Sequence, residues 1–571
     1  MKKLLFATSV VALGLVLGSC NGLKKMVENA DDINYSVNPK VLEVHNGKVA
    51  VNITGNFPEK YFNKKVSATL TPTLVWDGGE KALTPIYVQG EKIEGNGQVI
   101  KYKPGGSFSY NDKFDYSPEM RRSKLVLKIT AVKGTKEAEF DPEDIAEGIV
   151  ATPELVKMTA GKSSTAQSNF QKDISDSKII AINYDKNKAE IKASETKKDE
   201  VTEFKKYIQD SKDNEKVKYE SVELRSYASP EGTQEINKKV SNDRSKSAEK
   251  FAKNEFKKVN GTEGDNFFKS LVTEEDWEGF KTAVQNSNLA DKDMIIRVIN
   301  MNSDPDKREE EIRNMKNTFE ELEKSVLPQL RRSEIVLNVT NVGKTDKEIA
   351  EKYAEDPSQL TFKEIMHYGE VTEDAAKRVE IYTKATELFP EEWSAYNNLA
   401  CALYEMKDYK AAKVALEKAK SKSNGNATVL NNMGNVALTE GNVEEAESNY
   451  ASATGVNEAS AGQGVIAIKK GQYQNASDYF GEECSFNAGL AKVLNKENDN
   501  AIKALECGED KDDAMNYYLK AVVCARKTDN EGVFNNLRTA CQKDSSLKEF
   551  AANDVEFINL FENDTFKSIV K

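Results

Sequence analysis

Two histidines, His45 and His367, are the only imidazoles in this 571-residue chain. They lie far apart, and no serine or cysteine stands in a recognisable relation to either. A Ser/His/Asp or Cys/His catalytic set therefore cannot be assembled. No Cys/His spacing resembles a zinc site, no Gly-rich phosphate loop appears, and the paired carboxylates fall in charge-rich helical stretches. The residue types point away from an enzyme and call for no cofactor or metal. The densest grouping of side chains able to bind something is Arg225-Ser-Tyr-Ala-Ser-Pro-Glu-Gly232, followed by Asn237-Lys-Lys-Val-Ser-Asn-Asp-Arg244. Taken as residues alone, Asn237 stands where a helix should begin and reads as an N-cap. Arg244 reads as a surface arginine with Asp243 or Glu249 as partner.

A second reactive position lies at the N-terminus. Lys2 and Lys3 precede a short apolar run, Leu4 to Leu17, too short to span a bilayer comfortably. Leu17-Gly18-Ser19-Cys20 then resembles a bacterial lipobox. That resemblance makes Cys20 the residue that is lipidated, by palmitate-type acyl chains, and becomes the new N-terminus. Two or more acyl chains anchor a protein stably where one does not. Asn21 replaces the Asp that would signal inner-membrane retention, which favours the outer membrane. The residues after Cys20 are not acidic, so a surface-export signal is missing and the periplasmic face is expected. The other cysteines are Cys401, Cys484, Cys507, Cys524 and Cys541. A secreted compartment permits disulfides, but an odd number leaves at least one thiol free. Most sit among helix formers, where Cys is usually a small buried hydrophobe, so pairing stays open.

Positioning these groups requires several domains. The length leaves room for three or four, and 39% hydrophobic residues suffice for packed cores. A net charge of −12 argues against nucleic acid, whose phosphates need a Lys/Arg surplus. Residues 1–19 read as signal peptide and 20–34 as a lipidated polar tether. From 35 to 156 short alternating runs such as Lys48-Val-Ala-Val-Asn-Ile, punctuated by Asn46-Gly47 and Asp77-Gly78-Gly79, predict an antiparallel β-sandwich with Trp76 as a core anchor. Residues 157–174, rich in Ser, Thr and Lys, read as a linker. From 175 to 341 the pattern is α/β: strands at 178–184, 217–227 and 332–339, helices at 199–208 and 237–256, and a helix-rich insertion at 262–328 in which Trp277 serves packing. A connector, 342–367, leads to an all-α part, 368–571. There Leu399, Ala400, Ala412, Leu416 and Ala419 recur 34 residues later as Met433, Gly434, Ala446, Tyr450 and Ala453.

The 175–341 stretch resembles the OmpA-like domains common in cell-envelope proteins of Bacteroidota. Tyr227-Ala-Ser-Pro-Glu-Gly232, Asn237-x-x-Val240-Ser241-x-x-Arg244-Ser245 and Arg331-Arg332-Ser-Glu-Ile335 carry the likeness. In wall-binding members an Asp after the second strand and an Arg on the next helix clamp the diaminopimelate of peptidoglycan. An Arg fork suits a carboxylate, and a helix N-terminus adds positive potential. The resemblance places Arg244 and Asn237 on the family's Arg and Asn. It puts Ser229 where the Asp belongs, and serine supplies no counter-charge. Glu231 could replace it only if the turn were rearranged.

The 34-residue period is that of tetratricopeptide repeats, in which small residues sit where helices cross. The resemblance covers about 370–565, in four to six helix pairs, and implies a concave groove for peptides or partner proteins. On its inward positions stand Asn397, Asn398, Asn431, Asn432 and Asn435, whose amides offer both donor and acceptor to an extended backbone. The whole reads as a multidomain, non-catalytic envelope lipoprotein. It is tethered to the outer membrane and docks envelope proteins through its repeats, as a scaffold or adaptor in assembly or secretion machinery. The alternative is a peptidoglycan-binding anchor.

Overall fold

The computed structural model describes residues 21–259 and 266–571, so the signal peptide and Cys20 lie outside the described residues. The chain forms two compact units, one of residues up to 166 together with 373–571, the other of residues 167–372.

The first unit begins with two β-sheets around a single core. In one sheet, Lys48–Phe57 pairs along its whole length with Gly106–Asp115 and along its other edge with Asn34–Asn38 and Leu42–His45. In the other, Ser67–Trp76 and Lys124–Lys133 are the central antiparallel pair. Alternation places Val49, Val51 and Ile53 from the first sheet against Leu70, Leu74, Leu125 and Leu127 from the second. Trp76 packs on the rim of this core, half-buried. The segment expected to be a polar tether folds instead. Asn21–Glu28 is a helix that buries Leu23 and Met26 in the same core, and Tyr61 Oη donates to Met26 O at 2.6 Å.

The all-α part of this unit starts at the helix Ala375–Leu388. It then runs through antiparallel pairs: Trp393–Glu405 with Tyr409–Ser423, Ala427–Thr439 with Val443–Ser452, Ala459–Lys469 with Tyr473–Phe480, Phe486–Leu494 with Asn498–Cys507, and Ala514–Arg526 with Asn530–Lys543. The turn inside each pair passes through one left-handed residue: Lys407, Gly441, Gly471, Lys496 and Thr528. That shared geometry keeps the stacking regular where the sequence spacing drifts. At the crossings Ala412, Leu416, Ala446 and Tyr450 are fully buried, and a Cβ on Gly462 would fall 2.1 Å from the Tyr450 ring. Cys484 and Cys507 form a disulfide, while Cys401, Cys524 and Cys541 are free.

The sheets and the repeats belong to one unit because specific contacts join them. The Arg121 guanidinium lies 3.8 Å over the Phe550 ring, Thr152 Oγ1 donates to Glu556 Oε1 at 2.6 Å, and Lys469 pairs with Glu154.

The second unit is built on a four-stranded sheet in the order Asp173–Asn183, Arg332–Val342, Val217–Tyr227, Phe268–Thr273. The first three pair antiparallel and the last runs parallel to its neighbour. The helices Asp199–Ser211 and Gln234–Lys257 cover one face, burying Phe204, Ile208, Ala248, Ala252 and Phe256 on Ile182, Leu224 and Leu337. The region expected as a helical insertion thus opens with a strand, 268–273. It continues as helices between 277 and 330 with a small core of their own around Phe280, Ile295, Ile312 and Leu322, against which Trp277 packs. The expected connector holds the helix Asp346–Glu355 and most of Phe362–Val371, each opened by a Thr/Glu capping box.

Candidate functional site: an asparagine-lined groove and a buried polar cluster

The first helices Trp393–Glu405, Ala427–Thr439 and Phe486–Leu494 of their pairs present buried asparagines on the inner side of the array. Asn397, Asn398, Asn431, Asn432, Asn435 and Asn487 are at most 3% exposed, a burial that amides tolerate only when hydrogen-bonded. Their partner is a stretch of the same chain. Asn398 accepts from Ala166 N at 2.8 Å and donates to Ala166 O at 2.8 Å. Asn432, 34 positions later, does the same with Ser164, at 2.8 and 2.7 Å. Asn487 repeats the pattern on Lys157, with both bonds at 2.9 Å. Asn431 and Asn435 both donate to Lys162 O, at 2.9 and 2.8 Å, and Asn397 donates to Ser164 O at 3.1 Å.

In an extended chain the N–H and C=O of one residue face the same way, and alternate residues share a side. One amide side chain can therefore serve both groups of residues 164 and 166, as a neighbouring strand would. Burial alternates accordingly: Ser164 and Ala166 are half-buried, whereas Ser163, Thr165 and Gln167 are exposed. The segment read as a linker is thus, over 157–166, a bound strap.

Side chains add a few specific contacts. Val156 enters the core of the repeats, with Leu155, Met158 and Ala160 against it. Lys162 Nζ reaches Glu483 at 2.8 Å, Lys157 Nζ reaches Asp510 at 3.1 Å, and Tyr404 Oη donates to Thr159 O at 3.4 Å. Gly161 has no room for a side chain, since a Cβ there would lie 2.2 Å from Asn435 Oδ1. The Cys401 thiol faces Ser164 O at 3.5 Å, and burial pushes it up to about 12, so it is a packed donor and not a nucleophile.

Asn398, Asn432 and Asn435 therefore bracket an extended backbone supplied by residues 162–166. Asn487 escapes the sequence reading because the shortened spacing of the later repeats takes it off the 34-residue register.

The turn and helix of the second unit make a different arrangement. Thr233, not Asn237, is the N-cap, accepting from Ile236 N. Asn237 is one turn further in and buried; its Nδ2 donates to Gly232 O at 2.8 Å and to Glu275 Oε1 at 3.2 Å. Arg244 is no surface residue either, being 1% exposed. Its Nε, Nη1 and Nη2 donate to the carbonyls of Lys188, Tyr227 and Asp185 at 3.1, 2.8 and 3.2 Å, and the Tyr184 ring lies 5.2 Å away. Desolvation lowers its guanidinium to about 10.

Ser229 Oγ donates to Glu231 Oε1 at 2.9 Å, and Arg331 grips both oxygens of Glu231 at 2.9 Å. Asp276 and Arg332 form a second ion pair at 2.7 Å. The four residues singled out on this turn and helix are thus held by groups of their own unit. Beside them Glu309 is buried, with Oε2 on Arg313 and Oε1 without a partner among the described residues; burial raises it to about 7.

A cavity of about 590 Å³ in the first unit is lined by Glu43, Tyr473, Leu494, Lys496, Asn498 and Arg526. Tyr473 donates to Glu43, and Arg526 pairs with Glu556. Among the described residues no cluster of three or more His, Cys, Asp or Glu side chains is placed to hold a metal ion, and no helix is long and apolar enough to cross a membrane.

The helix pair beginning at Trp393 identifies the class of domain. Residues 394–421 match the tetratricopeptide-repeat family model. The chain carries tetratricopeptide repeats, a module that presents a binding surface to proteins. Similar solved structures include the APC/C hetero-tetramer Cut9–Hcn1, at 18% identity over 38% of this chain and 44% of that one, with a TM-score of 0.30. YrrB, described as a repeat protein with an unusual peptide-binding site, shares 22% identity over 29% of this chain and 94% of its own, TM-score 0.25. PilF of Pseudomonas aeruginosa shares 18% over 38% of this chain and 98% of its own, TM-score 0.27. This chain thus spans less than half the length of the first of the three. No curated protein matches the chain.

Proposed function

We propose that the protein is a non-catalytic scaffold or adaptor of the bacterial cell envelope. It is anchored in the outer membrane through lipid on Cys20, faces the periplasm, and meets partner proteins in assembly or secretion machinery. The observation that carries the adaptor part is the asparagine groove: buried amides aligned to read a polypeptide backbone are protein-recognition chemistry. The lipobox-like Leu17-Gly18-Ser19-Cys20 supports the tether.

The test is mild crosslinking in native membranes followed by purification of the wild-type chain and of Cys20→Ala. Specific envelope proteins should co-purify with the wild type, and Cys20→Ala should leave the membrane fraction. Recovery of the chain alone would sink the adaptor reading. Membrane retention of Cys20→Ala would sink the tether.

The second reading, a peptidoglycan anchor, draws on the OmpA-like pattern of the central unit, where Arg244 and Asn237 reach the turn that follows the strand Val217–Tyr227. Ser229 in place of an acid, and the engagement of Arg244 by three backbone carbonyls, weigh against it. Sedimentation with purified peptidoglycan decides: co-sedimentation of the wild type would restore the anchor.

A further inference from the structure

The groove holds a backbone, and the chain itself supplies that backbone. We infer that residues 157–166 are a built-in occupant of a groove that also takes an extended segment of a partner protein, so that strap and partner compete for the same asparagines. The inference rests on the adaptor reading and adds its regulation and the chemistry of the segment recognised.

Three observations carry it. First, on the strap Asn398 and Asn432 hydrogen-bond only the main-chain N–H and C=O of residues 166 and 164, and Thr165 between them is exposed. Nothing in these contacts ties the groove to this particular segment. Second, the positions that do discriminate are few. Gly161 is required where a Cβ would meet Asn435, a cation is favoured where Lys162 meets Glu483 and where Lys157 meets Asp510, and the Ser164 hydroxyl donates to Glu458 Oε2 at 3.5 Å. A competing segment therefore has glycine followed by a basic residue, then small residues in extended conformation. It carries no proline where residues 164 and 166 give their N–H groups. Third, Lys162, Ser163 and Thr165 are exposed along the bound strap, so exchange can begin there without opening a core.

A tethered segment acts at an effective concentration of ~1 mM, so a free segment of equal chemistry at micromolar concentration loses by about a hundredfold or more. The groove of the intact chain is therefore closed to weak ligands, and a productive partner needs contacts beyond the strap's own.

The experiment uses the purified full chain and a fluorescein-labelled synthetic peptide of residues 157–166, followed by anisotropy. Ser164→Pro with Ala166→Pro in the chain deletes the two N–H donors and vacates the groove. The double variant should bind the peptide at least about a hundredfold more tightly than the wild type, and a peptide carrying the same two prolines should not bind it. Equal binding by wild type and variant would overturn the competition. A variant that keeps its helical circular dichroism yet binds neither peptide, or both equally, would overturn backbone reading of a second segment. Should the variant not fold, hydrogen exchange of the wild type still decides on occupancy: fast exchange at the amides of Ser164 and Ala166 refutes it, slow exchange supports it. These outcomes do not depend on partner capture from membranes, so failure here leaves the adaptor reading standing, and failure there leaves the peptide result standing.

Discussion

Replacing Arg244 by methionine tests whether this arginine is structural or reserved for a ligand. The side chain is 1% exposed and its guanidinium serves three backbone carbonyls, those of Lys188, Tyr227 and Asp185. Methionine fills much of the same space but donates nothing, so three hydrogen bonds from a charged donor are lost, Asp185 O keeping only Lys188 N. At ~1–1.5 kcal/mol per lost hydrogen bond the loss is about 4 kcal/mol. Relief from burying a charge, which already lowers the guanidinium to about 10, returns part of it, leaving about 3 kcal/mol. Hydrogen exchange reports this locally: amides of Ile335 and Leu337, in the central strand Arg332–Val342, should exchange roughly a hundredfold faster. Amides of the sheets and repeats in the first unit should not change. Arg244→Lys should fall between the two, since one ammonium cannot span three diverging carbonyls. Exchange in Arg244→Met within about threefold of wild type, a difference under ~0.7 kcal/mol, would mean that these three hydrogen bonds do not hold the sheet. Arg244 would then be dispensable to the fold and available to a ligand.

Further tests address the same unit and the repeats. Glu309 is raised to about 7 by burial, so the folded state binds its proton more tightly than the unfolded state. The contribution of this group to stability is greatest below the unfolded carboxylate range and falls as pH rises towards and through 7, by roughly 2 kcal/mol. Urea midpoints of the central unit should decline from pH 5 to 8, and Glu309→Gln should flatten the decline; an unchanged slope would show the titrating group to be another. Removing one member of the buried Glu231–Arg331 pair by Glu231→Met should cost about 3–5 kcal/mol, whereas Glu231→Met with Arg331→Met should cost less than either single change. Additive costs in that double-mutant cycle would deny the coupling. Gly462→Ala drives a Cβ into the Tyr450 ring and should cost about 2 kcal/mol. Tyr450→Leu, which copies Leu416 of the preceding repeat, should recover most of it, and no recovery would mean that this contact is not the source of the strain.

The elements that could be read in advance are those whose residue types record their own burial. Ala412 and Ala446 are small because helices cross there, so a 34-residue period is visible without a structure. The strand Val217–Tyr227 shows itself by alternation over its last six residues. The misread elements owe their structure to distant partners. Asn21–Glu28 has only Leu23, Met26 and Val27 to suggest a helix, and becomes one because Met26 meets a core formed by both sheets. Phe268–Thr273 is a short edge strand fixed by its neighbour. Cys484 and Cys507 are 23 residues apart, a separation that carries no pairing signal among an odd set of thiols. Arg244 looked exposed because helix-surface charge is the common case; the carbonyls that bury it come from residues up to 59 positions away.

The groove shows the same division within a single site. Its receptor half was legible, since Asn397 and Asn398 return as Asn431 and Asn432 at the repeat period and amides on an inner helix face suit a backbone. Its ligand half was not, for a physical reason. What the asparagines hold is the N–H and C=O of Lys157, Ser164 and Ala166, groups that every non-proline residue carries alike. A segment bound through its backbone is under little demand on its side chains. It keeps the Ser/Thr/Lys composition of a linker and is indistinguishable from one until its partners are in place. Side-chain identity enters at the Gly161 constraint, at the Lys162–Glu483 and Lys157–Asp510 pairs, and at the Ser164 hydroxyl on Glu458. It follows that the strap can be rewritten at Ser163 and Thr165 without being released, but cannot accept proline at 164 or 166. A strap library scored by protease resistance of residues 157–166 would show that asymmetry. Equal tolerance at all four positions would mean that the asparagines do not hold this backbone in solution.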